Sequence, residues 1–412
     1  MSTSTSRPVG RLRADADPLA DEVLRLIWQE RRIARAEIAR RLDLARSTVS
    51  EIVRALLETG LVAEAGEGTS RGGRPPILLA FEDEALAILG VDIGASHVAV
   101  ALTDLRGRVL LWEEASHPVR TDPAGARALV ERLCDSCLAA WGKGTDRLVG
   151  IGVSIASPVD PERPGRLPET VLPAWEGELG LDPLSRKYDA PLLVDNDANL
   201  GALAERWWGA GRGVDDFAYI KLATGIGSGH VIRGSVYRGA KGIAGEIGHV
   251  VVDPHGPACV CGLRGCLTTY VGSEALARRA RELLADHPGS VLATGEPTAE
   301  RIAEAALAGD PAGLRVVHDA AESLGVAVAG MLNILNPAVV VFGGGLARVG
   351  DLLLEPLREV IRERTLVSSL ASTELRVSEL GPRATAIGAA TLVLEAALAD
   401  PRLFPHVYYA RT

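Results

Sequence analysis

Gly245-Glu246-Ile247-Gly248-His249 and, after nine intervening residues, Cys259-Val260-Cys261-Gly262-Leu263-Arg264-Gly265-Cys266 together hold three of the chain's five cysteines and a histidine. Thiolates set this close, with Gly262 and Gly265 supplying the tight turns between them, make a Cys₃His ligand set of the zinc type. Soft sulfur donors select zinc over hard cations. Since His249, Cys259, Cys261 and Cys266 would fill all four positions, the site is expected to be closed and structural. Glu246 lies three residues before His249, so the same clip would hold its carboxylate in place. Ordinary burial of cysteines in a core is a poor account of three of them in a glycine-rich, helix-poor loop.

The chain has 412 residues, 47% of them hydrophobic, which is enough for two or three domains rather than one core. No apolar run approaches the ~20 residues that span a bilayer, so no membrane partner is expected. Residues 1–16 are polar and arginine-containing, and read as a disordered tail and not a signal peptide. An odd number of cysteines without an export signal points to the reducing cytoplasm. The net charge of −9 divides unevenly: residues 1–80 carry +2, with arginine and no lysine, and the remainder carries −11. A mildly basic N-terminal piece on an acidic body is compatible with a DNA-binding module on a carrier.

Within residues 17–81 the apolar positions recur at helical spacing. Val23, Leu24, Ile27 and Trp28 follow Pro18, and Ile38, Ala39 and Leu42 mark a short second helix over 35–41. After the turn Leu42-Asp43-Leu44-Ala45, a third helix runs from Arg46 to about Thr59 and is stopped by Gly60. Its inward face is Val49, Ile52, Val53, Leu56 and Leu57. Ser47, Glu51 and Arg54 lie opposite, with Thr48 and Ser50 on the flanks. The pattern resembles a helix-turn-helix whose recognition helix, opening Arg46-Ser47-Thr48-Val49-Ser50, enters the major groove of double-stranded DNA. Residues 61–64 and 77–80 read as paired strands of a wing. Arg71 and Arg74, on its Gly/Pro-rich tip, suit a narrow minor groove.

Beyond residue 82, apolar strands end in small or polar residues, as in an α/β sheet that binds ligands at its strand C-termini. Ala87 to Ile93 leads to Asp92-Ile93-Gly94-Ala95-Ser96, and Leu192-Leu193-Val194 leads to Asp195-Asn196-Asp197-Ala198-Asn199. Asp197 suits a general base on a hydroxyl, and an Asp or Asn here equally suits a helix N-cap. Cys134 and Cys137 fall among apolar residues of an amphipathic helix and read as core filling.

With these segments in order, the chain from about residue 20 to 398 resembles the ROK family of repressors and sugar kinases, in its longer form with an N-terminal winged helix. The markers are Asp92-Ile93-Gly94, residues 194–199, Ala223-Thr224-Gly225-Ile226-Gly227-Ser228-Gly229, Glu246-Ile247-Gly248-His249, the cysteine cluster, and Leu335-Asn336-Pro337 followed by Val340 to Gly345. The resemblance implies an α/β fold: a winged helix-turn-helix (17–81) followed by a two-lobed actin-like, sugar-kinase-like (ribonuclease H-like) ATPase fold. The first lobe would span 82–198 plus a returning helix over 384–398, and the second 199–383 with the zinc site. It further implies a homodimer or homotetramer, and a sugar or sugar-phosphate effector held between the lobes by Asn196, Asp197, Glu246 and His249.

Three positions depart from the family's sugar-binding pattern. Thr268 stands where a glutamate is expected, Val171 where an asparagine precedes the Leu172-Pro173-Ala174-Trp175 segment, and Ala156-Ser157-Pro158 where a Pro-Gly loop belongs. Each lost hydrogen bond would cost about 1–3 kcal/mol if the same sugar were bound. Ala95-Ser96-His97 also departs from the phosphate loop of the active kinases. A transcription regulator of carbohydrate-related genes is therefore expected, in the repressor class and without kinase activity. The alternatives are an ATP- and magnesium-dependent sugar kinase with Asp197 as base, or a regulator that has lost sugar sensing.

Overall fold

The structure is a computed structural model that describes residues 18–69, 75–365, 373–400 and 403–405. The tail over 1–16, and Arg71 and Arg74 of the wing tip, lie outside the described residues.

The N-terminal module comprises α1 (Pro18–Glu30), β1 (Ile33–Ala34), α2 (Arg35–Arg41), α3 (Arg46–Glu58), β2 (Val62–Glu67) and β3 (Ile77–Phe81). The helices stand where the apolar spacing placed them, and α3 buries Val49, Ile52, Val53 and Leu56. β2 and β3 pair antiparallel, with Val62 opposite Phe81. β1 adds to the other edge of β3, Ile33 opposite Leu79. Two residues are too few to carry a strand's alternation, so the sequence held no sign of β1.

Two five-stranded sheets follow, built to the same plan. The first contains β4 (Ala87–Ile93), β5 (His97–Thr103), β6 (Val109–Ser116), β7 (Leu148–Ile155) and β8 (Leu192–Asn196), flanked by α4 (Pro123–Trp141) and α5 (Asp182–Tyr188). Its order is β6-β5-β4-β7-β8. β4, β7 and β8 run parallel, while β5 and β6 are antiparallel to their neighbours. α6 (Asp197–Trp208) leads to β9 (Phe217–Leu222), β10 (Ile226–Ile232) and β11 (Ser235–Tyr237). α7 (Thr268–Val271), α8 (Ser273–Leu283), α9 (Ala299–Leu307) and α10 (Pro311–Leu335) come next, then β12 (Val339–Gly344), α11 (Asp351–Arg364) and β13 (Glu374–Val377). The second sheet has the order β11-β10-β9-β12-β13 and the same pattern of directions. The central strands β4 and β7 are buried along their whole length, which is why they read as continuous apolar runs rather than alternating ones.

The final helix, α12 (Ala384–Ala399), returns to the first sheet and is buried around most of its circumference. Gly90 of β4 and Gly152 of β7 are cross-strand partners. A Cβ on Gly90 would lie 2.0 Å from the Ala386 carbonyl oxygen, and one on Gly152 1.8 Å from that of Ala389. The two glycines form one groove that admits the helix backbone. α12 also shares a core with the N-terminal module: Ile27, Val53 and Leu79 belong to the same cluster as Leu193 of β8, Leu200 and Leu203 of α6, and Val393 and Leu394 of α12. Leu403 and Phe404, from the aromatic C-terminal stretch, are buried in that cluster too. No described helix is long and apolar enough to cross a membrane.

The groove makes a sharp stability prediction. Gly152→Val would drive its side chain into the α12 backbone, a contact no rotamer relieves, and should destabilise the protein by about 3 kcal/mol or more. Urea unfolding would read this, with Gly165→Ala, which meets no atom within 4 Å, as the near-neutral comparison.

Candidate functional site: paired buried carboxylates, a thiol cluster and an exposed helix

His249, Cys259, Cys261 and Cys266 converge as the sequence anticipated. Each offers one ligand atom, and the four atoms all lie within 4.8 Å of one another. The Cys259 Sγ is 3.6 Å from His249 Nδ1, and Cys261 Sγ is 3.6 Å from Cys266 Sγ. The cluster is therefore a candidate metal centre. Its loop is shaped by the two glycines, with φ of +90° at Gly262 and +66° at Gly265. At Gly265 a Cβ would sit 1.5 Å from the Asp253 carbonyl oxygen, so neither turn tolerates a side chain without strain. Cys259 and Cys266 are buried and Cys261 is exposed. Cys134 and Cys137, by contrast, are buried in the first-lobe core on α4, which matches their reading as core filling.

Asn196 and Asp197 stand at the junction of β8 and α6. Asn196 is the N-cap of α6: its Oδ1 accepts from the Ala198 and Asn199 backbone N–H groups, while its Nδ2 donates to the Ser157 carbonyl at 3.1 Å. The cap and the ligand readings of this position thus converge on one residue, already largely committed to the backbone. Asp197 Oδ2 accepts from Lys221 Nζ at 2.9 Å, and both side chains are about 15% exposed. Asp92, at the end of β4, is buried. It accepts from Ser154 Oγ at 2.9 Å and lies 3.5 Å from His97 Nε2. Burial pushes the Asp92 carboxyl up, but the Lys221 charge and the His97 and Ser154 hydrogen bonds outweigh it and hold it below the usual range. The Asp92 hydrogen bond holds the His97 imidazole above its ordinary value against its own burial.

Glu246 is half-buried, and burial followed by the charge of Asp197 raises its carboxyl above the ordinary value. Asp195 is buried and held by Arg238 at 2.7 Å, a pairing that ties β8 to the segment after β11. Thr268 opens α7 two residues after the last cysteine, Cys266. The residue that sequence reasoning missed is Lys221. Its signal was present: a single lysine inside the otherwise apolar strand Phe217–Leu222 has to find a carboxylate when the strand is buried.

On α3, Arg46, Ser47, Ser50, Glu51 and Arg54 are exposed and Thr48 is half-buried, so the face expected to be polar does face solvent. Ser50 Oγ donates to the Arg46 carbonyl of its own helix at 2.8 Å. Arg40 and Arg41 of α2 are engaged with Glu37, Arg41 also with Glu30, and Arg35 with Glu64. Among the described residues, Arg46 and Arg54 have no carboxylate partner.

The far end of α6 meets the N-terminal module. The Trp207 and Trp208 rings are tilted at 45° with centroids 5.6 Å apart, and Trp207 lies 6.0 Å from Trp28 near the end of α1. Trp28 Nε1 donates to the Leu105 carbonyl at 3.1 Å. The Arg106 guanidinium sits 4.4 Å over the Trp28 ring, donates to the Trp28 carbonyl and pairs with Asp83. Trp208 Nε1 donates to Thr391 Oγ1 of α12. One helix therefore has Asp197 at its first turn and the tryptophan contact at its last.

Comparison with known proteins agrees with this geometry. The profile of the ROK family matches residues 88–396, and that described as winged helix-turn-helix DNA-binding matches residues 22–63. A xylose repressor of Caldicellulosiruptor bescii is 31% identical over 92% of this chain and 96% of its own length. A glucokinase of Halalkalibacterium halodurans is 35% identical, but over 74% of this chain and 94% of its own length. Among solved structures, a ROK family transcriptional regulator described as a homolog of the E. coli MLC protein superposes with a TM-score of 0.76 at 29% identity, covering 94% of this chain and 98% of that one. The match to the regulators runs through the DNA-binding module, while 74% coverage by the kinase leaves room for no more than the two lobes. This chain belongs to the ROK family, as one of its DNA-binding regulators rather than one of its kinases.

Proposed function

We propose that the chain regulates carbohydrate-related genes by binding a double-stranded DNA operator through α3 and releasing or re-angling it when a sugar-like effector enters the inter-lobe cleft. The observation that carries this reading is the solvent face of α3, where Arg46 and Arg54 are exposed and unpaired among the described residues while the neighbouring arginines of α2 are engaged. Free guanidiniums on such a helix meet phosphates and guanine edges without first breaking an ion pair. Ser47, Thr48, Ser50 and Glu51 complete the reading face, and Arg71 and Arg74 of the wing tip supply minor-groove contacts. The carbohydrate assignment rests on the relatives' names, a xylose repressor and a glucokinase. Two recognition helices on a two-fold operator need two copies of the chain, so the working state is a homodimer or homotetramer.

α6 supplies a coupling route. A helix of this length spans about 18 Å, at 1.5 Å per residue. The effector would contact Asp197 and Glu246 at one end, beside Asn196 and His249. A shift of α6 would be felt at Trp28 through Trp207 and a shared core. Packed cores switch between discrete arrangements rather than bending smoothly.

The thiol cluster holds a structural zinc ion in this reading. The 3.6 Å separations match the edges of a tetrahedron with Zn–S near 2.3 Å and Zn–N near 2.0–2.1 Å, which are roughly 3.5–3.8 Å. His249 turns Nδ1 to the cluster, which leaves Nε2 for an effector hydroxyl. One imidazole thus serves both roles.

Three outcomes test the proposal. Arg54→Ala should weaken binding to genomic fragments selected by the wild-type protein about tenfold or more at fixed salt, with metal content unchanged. Unaltered gel-shift affinity would remove Arg54 from the interface. Cys261→Ser should lose the equivalent of zinc seen by metal analysis of the wild type; a full complement in the variant would contradict the ligand set. Trp207→Ala should keep DNA affinity within about threefold yet lose most of its response to whichever of xylose, glucose or N-acetylglucosamine releases the wild type, since the coupling at stake is of order 1–3 kcal/mol. An undiminished response would eliminate α6 as the route.

A further inference from the structure

The turn between β5 and β6 touches α1, α6 and the linker over residues 82–86, which joins β3 to β4. Asp104 is buried and opens the turn. Its Oδ1 accepts from the Arg106 and Arg108 backbone N–H groups at 2.8 and 2.9 Å, and its Oδ2 from Arg108 Nε at 3.1 Å. Leu105 is fully buried in the core shared with the DNA-binding module. Its N–H donates to the Asp83 carbonyl of the linker at 3.2 Å, and its carbonyl accepts from Trp28 Nε1. A Cβ on Gly107, whose φ is +71°, would lie 2.5 Å from Trp208 Cε2 of α6.

Arg106 is the side chain that grips α1 and the linker together. Its Nη2 donates to the Trp28 carbonyl at 2.7 Å, its Nε donates to Asp83 Oδ1 at 2.9 Å, and its guanidinium lies 4.4 Å from the Trp28 ring centroid. Lys143 Nζ and Arg147 Nη1 donate to the next two linker carbonyls, those of Glu84 and Ala85, at 2.9 and 3.2 Å. Beside these contacts lies a cavity of about 990 Å³, lined by Gly60 and Phe81 of the module and by Arg108, Lys143 and Arg147 of the first lobe. The module therefore has room to tilt on this side. Burial of the shared apolar core is non-directional, so it holds the module down without selecting one angle. A guanidinium does select: its donors form a rigid planar fork, and it satisfies acceptors on two segments only when both are correctly placed.

Two modules on a two-fold operator meet half-sites whose spacing follows from the angle each module makes with its body. We propose that Arg106 is a positioning residue for DNA recognition, holding the module at one angle on the first lobe and so fixing the half-site spacing that a dimer accepts. The inference rests on the regulator reading and deepens it.

The test uses the full-length protein and a genomic site selected by the wild type, with one or two base pairs added or removed between its half-sites. Wild type should lose about tenfold or more in affinity on each altered spacing, at least the cost of one mismatched base pair. Arg106→Lys keeps the charge and most of the stem but can satisfy only one of the two acceptors. It should lose about threefold or less on the same sites, well under the cost of a mismatch. Its affinity for a single half-site and its melting temperature should stay those of wild type. Asp83→Ala should relax the spacing in the same way, and the double variant should relax it no further. Wild-type spacing dependence in Arg106→Lys, or an equal loss on every spacing and on the single half-site, would overturn the proposal. A glutamate-specific endoprotease supplies a readout without DNA. Arg106→Lys should be cut after Glu82 or Glu84 about tenfold faster than wild type, because a loosened linker opens more often. Equal cleavage rates would overturn the proposal as well. A wild type that selects no DNA would sink the regulator reading, while cleavage still decides whether Arg106 holds the linker, so the two fail separately.

Discussion

The close approach of α12 to the first sheet is the constraint on which the rest of this molecule depends. Gly90 and Gly152 lie side by side in β4 and β7 and admit the helix backbone to within touching distance of the strands. The same helix brings Gly388 against the Leu200 carbonyl of α6, where a Cβ would lie 1.9 Å away. α6 is thereby locked to α12, and both contribute to the core that contains the N-terminal module. Close-packed interiors have low compressibility and transmit displacement. The DNA-binding module therefore shares its buried core with α6 and α12.

The electrostatics around Asp195 and Asp197 work on a different principle. Buried charges are tolerated where each has a partner, and removing one partner is far more costly than the pair is worth. Asp195 with Arg238, and Asp197 with Lys221, both satisfy this rule across segments from different parts of the chain. Asp197 is therefore neutralised by Lys221 rather than by solvent. Glu246 is half-buried, and burial, followed by the charge of Asp197, raises its carboxyl above the ordinary value.

Much of the site was legible before the fold was known. His249, Cys259, Cys261 and Cys266 could be grouped from spacing because their loop is short and its glycines leave few ways to close it. α3 was legible because an amphipathic helix records its buried face every third or fourth residue. Lys221 was harder to place: its position in β9 was plain, but nothing local says which carboxylate it will meet. The tryptophans were also present in the sequence, yet Trp28 and Trp207 are far apart along the chain and belong to different modules. β1 left no trace because two residues have no periodicity.

The sequence by itself determined the thiol cluster, the longer helices of the N-terminal module with their apolar faces and, through its ordered motifs, the ROK family. These are properties of short segments, governed by ligand chemistry and by the periods of helix and strand. The tertiary structure alone decided that Lys221 would neutralise Asp197, that His97 would lie against Asp92, and that α6 would run from Asp197 to the contact with Trp28. Those contacts join residues of separate elements, and their partners are fixed only when the paired glycines let α12 draw the sheet, α6 and the DNA-binding module into one core. The opening cluster gathers His249 with three cysteines, three residues after Glu246, while the charge that pairs with Asp197 comes from a lysine in β9.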